Sequence, residues 1–94
     1  MALYYCRHQV KDYDAWRPYF DADQPRIHSV GAKTVSVMRS TDDPNNVHFV
    51  FDIPDLEAFM GQMQSQELQD ILQKAGVMEQ PVFYGLEELQ VPAL

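Results

Sequence analysis

Hydrophobic and polar residues alternate in four segments of the chain, whereas in two longer segments the hydrophobic residues recur every three or four positions. Alternation is typical of a β-strand with one buried face, and the longer spacing is typical of an amphipathic helix. The pattern predicts strands at 3–10, 33–40, 47–53 and 82–89. The turn-forming residues 41–46 join the second and third strands into a hairpin.

The first helical segment has an apolar stripe with one charged interruption. The stripe consists of Trp16, Phe20, Asp23, Ile27 and Val30. Asp12 or Asp14 is expected to cap the helix, because a carboxylate there accepts hydrogen bonds from free backbone N–H groups. Pro25 is expected to divide the segment near Asp23, and Gly31 is a natural left-handed residue at its end.

The second helical segment has two parts. It opens at Pro54-Asp55 and carries Leu56, Phe59, Met60 and Met63 on one face. Ser65 can cap a further stretch that bears Leu68, Ile71 and Leu72 and ends at Gly76.

The order of elements predicts the fold. A β-α-β-β-α-β chain of 94 residues is expected to form one domain, 1–94, with the ferredoxin-like α+β fold. In this fold a four-stranded antiparallel sheet carries both helical segments on one face. Right-handed crossovers place the first and third strands side by side at the centre.

The face left without helices is expected to carry an apolar patch. Its members are Val50, Phe83 and Leu89, together with either Tyr4 and Val10 or Leu3 and Tyr5 from the first strand. Monomers seldom leave such a contiguous patch in water. We therefore expect a homodimer in which two sheets pack face to face, since two-fold assemblies are the commonest oligomers.

Composition excludes several classes of function. The chain has 7 basic and 14 acidic residues, which disfavours nucleic-acid binding. It has no apolar run long enough to span a membrane, and its single cysteine permits no intrachain disulfide. The first residues do not form a signal peptide, so a cytoplasmic protein is expected.

Two histidines are the candidate catalytic residues. His8 and His48 lie on strands predicted to be neighbours, and histidine suits proton transfer near neutral pH. If they share a face, they form a polar centre; otherwise they are two unrelated histidines. Cys6 points to the same side as His8 and could complete a zinc or copper site with His48, but no fourth ligand is evident. We therefore expect no metal.

Four side chains on the helices are candidate ligand-binding residues. They are Trp16, Phe20, Phe59 and Met63. They could line a pocket for a flat apolar ligand, or they could be ordinary core residues, since helical spacing explains them equally well. Arg39 could orient an anionic or carbonyl oxygen, or it could form a surface ion pair with Asp42 or Asp43.

Six short groups of residues, spread over nearly the whole chain, occupy expected caps, turns and core positions. They are Val10-x-Asp12-Tyr13-Asp14-x-Trp16, Phe20-Asp21, Gly31-Ala32, Arg39 with Asp42-Asp43-Pro44-Asn45, Ser65-x-Glu67-Leu68 and Ala75-Gly76-Val77. Together they resemble small bacterial proteins of the dimeric α+β barrel superfamily, which includes the antibiotic-biosynthesis monooxygenase-like domains.

The resemblance implies the ferredoxin-like fold, the homodimer and no cofactor. Members of the superfamily include cofactor-free oxygenases, isomerases, polyketide cyclases and haem-degrading enzymes. Haem turnover is not implied here, because the second helical segment has no histidine to bind iron. The implied function is binding of a small aromatic or polyketide-like compound, with proton abstraction, isomerisation or oxygenation as the chemistry. The alternatives are a non-catalytic ligand-binding or stress-response module and a purely structural interaction domain.

Overall fold

The structure is a computed structural model that describes residues 2–79 and 81–92. Its strands are β1 (Leu3–Gln9), β2 (Lys33–Arg39), β3 (Asn46–Asp52) and β4 (Val82–Leu86), and its helices are α1 (Tyr13–Ala22), α2 (Gln24–Ser29), α3 (Leu56–Met63) and α4 (Gln66–Lys74). The predicted order is confirmed, and both helical segments are divided in two as expected. No helix in the described ranges combines the length and the apolar character needed to cross a membrane.

Local capping explains where the helices begin. Asp12, Asp55 and Ser65 each accept a hydrogen bond from a backbone N–H group in the first turn of α1, α3 and α4, respectively. These bonds satisfy donors that the start of a helix leaves free. The break between α1 and α2 falls at Asp23, and Pro25 lies in the first turn of α2, where a proline is tolerated.

The four strands form one antiparallel sheet in the order β2-β3-β1-β4. The first and third strands are therefore central neighbours, as predicted. Cys6 of β1 pairs with Phe49 of β3 and with Phe83 of β4, so these three side chains point to the same face of the sheet. The result is the predicted ferredoxin-like α+β fold.

The core lies between this face, called the helix-facing side below, and the helices. Trp16 of α1, Ile27 of α2 and Phe59 of α3 pack with the buried strand residues in one cluster. Leu68 of α4 is also buried. Because the helices cover this side only, the opposite side of the sheet, called the outer face below, receives no helix from its own chain in the described residues.

The outer face carries Leu3 and Tyr5 of β1, Val50 of β3, and Tyr84 and Leu86 of β4. Tyr84 is 59% exposed and Leu86 is 46% exposed. Two pairs of residues were predicted as alternatives for the part of β1 on this face. The pair Leu3 and Tyr5 is confirmed. Val50 also lies where it was predicted.

The predicted position of Phe83 is wrong. Its pairing with Cys6 places it on the helix-facing side, where its ring stacks on Tyr4 at a centroid distance of 5.2 Å. The last strand is also shorter than predicted. It ends at Leu86, so that Leu89 lies beyond it and is 73% exposed.

Candidate functional site

A cavity lies between the helices and the helix-facing side of the sheet. Its volume is about 60 Å³, several times the roughly 10–15 Å³ that one water molecule requires. The sheet contributes Cys6, His8 and Phe49 to its wall, and the helices contribute Trp16 and Phe20 among others. A concave, mostly apolar site with few polar groups is typical of small-molecule binding sites.

His8 is the buried polar group of this cavity. Its side chain is 5% exposed, and neither Nδ1 nor Nε2 has a hydrogen-bond partner among the described residues. The rings of Phe49 and Trp16 stand edge-on to the imidazole, at centroid distances of 5.0 and 6.4 Å. Burial in this apolar setting lowers the pKa of His8 to about 4. The neutral ring therefore offers one N–H donor and one acceptor nitrogen near pH 7.

A polar cluster lies where α2 approaches α3 at the edge of the cavity. The Arg26 guanidinium donates two hydrogen bonds to the Asp23 carboxylate, at 2.7 and 2.6 Å, and one to Gln62 Oε1, at 2.8 Å. Arg26 and Asp23 both line the cavity, and their side chains are 23% and 16% exposed. The cluster joins the two halves of the helical layer and adds a polar patch with no net charge.

All four predicted ligand-binding residues of the helices line the cavity. They are Trp16, Phe20, Phe59 and Met63. The same side chains pack within the hydrophobic core, so the two interpretations of their spacing describe one arrangement. The core is formed by the residues that also enclose the cavity.

Arg39 does not take part in lining the cavity. Its guanidinium lies over the Tyr13 ring, 4.6 Å from the ring centroid. This cation–π contact takes the place of the predicted ion pair with Asp42 or Asp43, which does not form among the described residues. The orientation of a ligand oxygen by Arg39 stays a prediction.

The structure separates the two candidate catalytic histidines. His8 pairs with Val47, whereas His48 pairs with Arg7, so the imidazoles lie on opposite faces of the sheet. His48 is on the outer face. Its Nδ1 is 2.5 Å from the Tyr5 hydroxyl oxygen, and its Nε2 is 2.9 Å from Ser40 Oγ. The predicted common polar centre is therefore not formed, and the alternative of two unrelated histidines is correct.

Cys6 shares the helix-facing side with His8, but His48 lies across the sheet from both. No group of three potential ligands among His, Cys, Asp and Glu converges within the described ranges. Burial raises the pKa of the Cys6 thiol to about 12. Cys6 thus behaves as a small apolar wall residue.

Sequence reasoning missed the Asp23–Arg26 pair and the partners of His48. Asp23 carried a usable signal, because it is a charged residue within an apolar stripe. Arg26 follows three residues later, which is the spacing of a helical ion pair. The Tyr5–His48 contact carried no comparable signal, because it joins residues 43 positions apart.

Comparison with known proteins gives no match to a family model and no match among curated proteins. Solved structures do match over nearly the whole chain. A protein from Bordetella bronchiseptica, provisionally named an antibiotic biosynthesis monooxygenase, aligns with a TM-score of 0.74 at 16% identity, over 95% of this chain and 97% of that chain. Rv0793 from Mycobacterium tuberculosis aligns with a TM-score of 0.64 at 11% identity, over 98% of each chain.

A protein from Nitrosomonas europaea, also provisionally named an antibiotic biosynthesis monooxygenase, aligns with a TM-score of 0.67 at 13% identity, over 96% of this chain and all of that chain. The chain therefore has the fold of proteins named antibiotic biosynthesis monooxygenases, as the residue pattern predicted. One fold supports many reactions, so the function depends on the residues of the cavity and not on the fold.

Proposed function

We propose that the protein binds a small, flat, largely apolar molecule in the cavity, and that His8 forms a hydrogen bond to a hydroxyl or carbonyl group of this ligand. The observation that carries the proposal is the unpaired imidazole of a side chain that is only 5% exposed. A buried polar group without a partner costs about 1–3 kcal/mol. A ligand that supplies the missing hydrogen bond removes this cost.

The cavity wall supports an aromatic or polyketide-like ligand. The ring of Trp16 stacks on Phe20 at 4.9 Å and on Phe49 at 6.1 Å between centroids. Planar side chains at these spacings pack well against another planar group. The cavity of about 60 Å³ is smaller than the roughly 150 Å³ of a cavity that binds benzene. The proposal therefore requires the helices to move away from the sheet, so that a flat ligand can lie along the aromatic wall with its oxygen directed at His8.

The proposed chemistry begins with proton transfer to His8. The O–H bond of a ligand hydroxyl breaks, the proton passes to the acceptor nitrogen of the imidazole, and the electron pair stays on the ligand oxygen. The resulting aromatic anion is electron-rich. It can isomerise or cyclise, after which the imidazolium returns the proton to the product. It can also form a C–O bond to dioxygen, which is the oxidant. The imidazolium then protonates the resulting peroxide, and cleavage of the O–O bond with loss of the C–H proton on the same carbon releases one oxygen as water and leaves the other as a carbonyl.

Non-catalytic ligand binding is the second candidate function. It is favoured by one observation, which is that a pKa of about 4 makes His8 a weak base. In this role His8 only holds the ligand oxygen. The two functions differ in whether the bound compound is recovered unchanged after incubation with the protein in air, which mass spectrometry of the ligand measures.

Binding of phenol and benzene tests the role of His8. Trp16 is the single tryptophan of the sequence and lies in the cavity wall, so its fluorescence reports occupancy. We expect phenol to bind about tenfold more tightly than benzene, because only phenol can pair with the imidazole. The preference should disappear in His8→Leu and persist in the exposed-site control His28→Gln. Equal affinities in the unmodified protein, or a preference retained in His8→Leu, would contradict the proposal.

We also propose that two copies of the chain associate through the outer face. Tyr84 and Leu86 are exposed there, and residues 87–92 continue beyond β4 with Leu89 and Val91 exposed at 73% and 84%. A second sheet covers the first at a packing distance of about 10 Å. Leu89 and Val91 then gain a surface on the partner, which adds to the contact of the sheets.

The stoichiometry at micromolar concentration tests this assembly. Native mass spectrometry and sedimentation velocity should both report a dimer. The same mass spectrum also reports any small molecule that copurifies with the protein. A monomer by both methods would overturn the proposed assembly and leave the cavity proposal standing.

A further inference from the structure

Six side chains on the outer face form one continuous chain of hydrogen bonds, called the His48 chain below. In order they are Tyr5, His48, Ser40, Asn46, Gln9 and Asp43. The successive distances between their polar atoms are 2.5, 2.9, 3.1, 2.9 and 3.3 Å. The chain runs from the centre of the sheet to the turn between β2 and β3.

Asp43 fixes the direction of the His48 chain. Its carboxylate can only accept, so Gln9 presents its amide nitrogen to Asp43 and its Oε1 to the other side. Gln9 Oε1 therefore accepts from Asn46 Nδ2. Asn46 is left with Oδ1 facing Ser40, and it accepts the Ser40 hydroxyl proton.

The tautomer of His48 follows from the same reasoning. The Ser40 hydroxyl has one proton, which it donates to Asn46, so Ser40 Oγ must accept from His48 Nε2–H. The neutral imidazole has no second proton. Its Nδ1 therefore accepts the Tyr5 hydroxyl proton. Every donor of the His48 chain points toward Asp43.

Protonation of His48 breaks one hydrogen bond of the His48 chain, the one between the Tyr5 hydroxyl and His48 Nδ1. An imidazolium carries a proton on Nδ1, which then faces the proton of the Tyr5 hydroxyl. Tyr5 must turn its O–H away and find another acceptor. In a free subunit, water at the half-buried outer face can accept this proton.

We propose that two copies of the chain associate through the outer face when His48 is neutral and separate when His48 is protonated. The inference rests on the proposed dimer and adds a regulation to it. A second copy would enclose Tyr5 and His48 among Val50, Tyr84 and Leu86. The displaced Tyr5 proton would then lack an acceptor, and the imidazolium charge would be removed from water. Protonation therefore favours the separated subunits.

The charged and titratable groups around His48 are consistent with weaker association of the two copies when His48 is protonated. On β1, Arg7 is its direct cross-strand partner and Tyr5 is its hydrogen-bond partner. On β2 the paired residue is Met38, which is uncharged. Tyr84 of β4 stacks on Tyr5.

Two carboxylates complete the surroundings of His48. Asp43 is reached only through the intervening polar side chains of the His48 chain. Asp52 of β3 accepts a hydrogen bond from the Ala2 N–H. No carboxylate among the described residues is in direct contact with the His48 ring to stabilise its charge.

The dimer dissociation constant, measured by sedimentation equilibrium at pH 8 and pH 5.5, tests the proposal. Histidine side chains commonly titrate within about pH 5–8. We expect the constant to rise at least tenfold at pH 5.5 and this rise to be absent in His48→Gln. The control His28→Gln, an exposed histidine, should keep the full response. Circular dichroism at both pH values confirms that each variant is folded.

A separate measurement tests the His48 chain without a variant. Long-range proton–nitrogen NMR correlations should show the Nε2–H tautomer of His48 at pH 8. A monomer at pH 8 would overturn both the dimer and this inference. A dimer with equal affinity at both pH values, a response retained in His48→Gln, or an Nδ1–H tautomer would overturn the inference alone.

Discussion

His8 lies on a central strand between apolar neighbours, and the described fold supplies no hydrogen bond to either of its ring nitrogens. Such a residue weakens the folded state, and under the proposed function a bound ligand supplies the hydrogen bond that offsets this cost. An apolar residue at position 8 would therefore make the folded chain more stable, whereas the proposed function needs the imidazole. The conflict can be measured, because the same burial that leaves the imidazole unpaired also lowers the pKa of His8 to about 4.

The first prediction concerns stability and pH. The pKa of His8 is lower in the folded chain than the 6.5 of a free histidine, so the unfolded chain binds more protons between these values. His8 should therefore lower stability progressively as pH falls from 6.5 to 4, by up to ~3 kcal/mol. Urea unfolding of His8→Leu should lack this component and should show equal or greater stability at pH 7. The exposed-site variant His28→Gln should keep the loss of stability between pH 6.5 and 4. Parallel pH profiles of His8→Leu and the unmodified protein would refute the prediction.

The second prediction concerns Cys6. Burial raises the pKa of this thiol to about 12, so the reactive thiolate is scarce at pH 8. A thiol reagent should modify the folded protein far more slowly than it modifies glutathione, and urea should restore the normal rate. Rapid labelling of folded protein would show that the cavity wall opens at Cys6.

At the scale of the element, local chemistry explains which parts of the fold the sequence could predict. The caps at Asp12, Asp55 and Ser65 act within one helical turn. Residue type and spacing therefore predicted the cap at Ser65, limited the first cap to Asp12 or Asp14, and placed the start of the second helical segment at Pro54-Asp55. The face of Phe83 was not readable, because both faces of β4 carry apolar side chains. Its direction depends on the register with Cys6, which is a long-range property of the sheet.

The candidate site shows the same division between short-range and long-range information. Helical spacing placed Trp16 and Phe20 on the side of the helix that faces the sheet, but it did not distinguish a cavity wall from ordinary core. The separation of His8 from His48 required their strand register. The Arg26–Gln62 contact joins residues 36 positions apart. Predicting it would have required knowing how α2 packs against α3.

Two glycines provide the third prediction. Gly31 follows α2 with a φ of 76°, whereas Gly61 lies inside α3, where an added Cβ would meet nothing within 4 Å. Gly31→Ala should lower the free energy of unfolding by about 1–2 kcal/mol, because it strains the left-handed backbone. Gly61→Ala should raise it by about 0.5–1 kcal/mol through helix propensity. Urea unfolding of the two variants should give opposite signs, and equal signs would contradict these roles.

At the scale of the whole molecule, the two faces of the sheet divide the proposed tasks. The helix-facing side holds the cavity and His8, and the outer face holds the His48 chain and the proposed contact with a second copy. Successive side chains of a strand point to opposite faces of the single sheet. Neighbouring positions on one strand therefore belong to different proposed sites. A change on one face should therefore alter one property and spare the other.

The fourth prediction uses this division. Leu86→Glu places a charge on the outer face, where a second copy would bury it. Burial of an unpaired charge opposes association, so the dimer dissociation constant should rise at least tenfold in sedimentation equilibrium. Leu56→Glu is the matched control, because Leu56 is a 38% exposed leucine of α3, in the helical layer on the other side of the sheet, and it should leave the dimer intact. Phenol should still quench Trp16 in both variants, because the cavity wall is formed within one chain. Loss of phenol binding in a folded Leu86→Glu monomer would instead mean that the second copy completes the cavity.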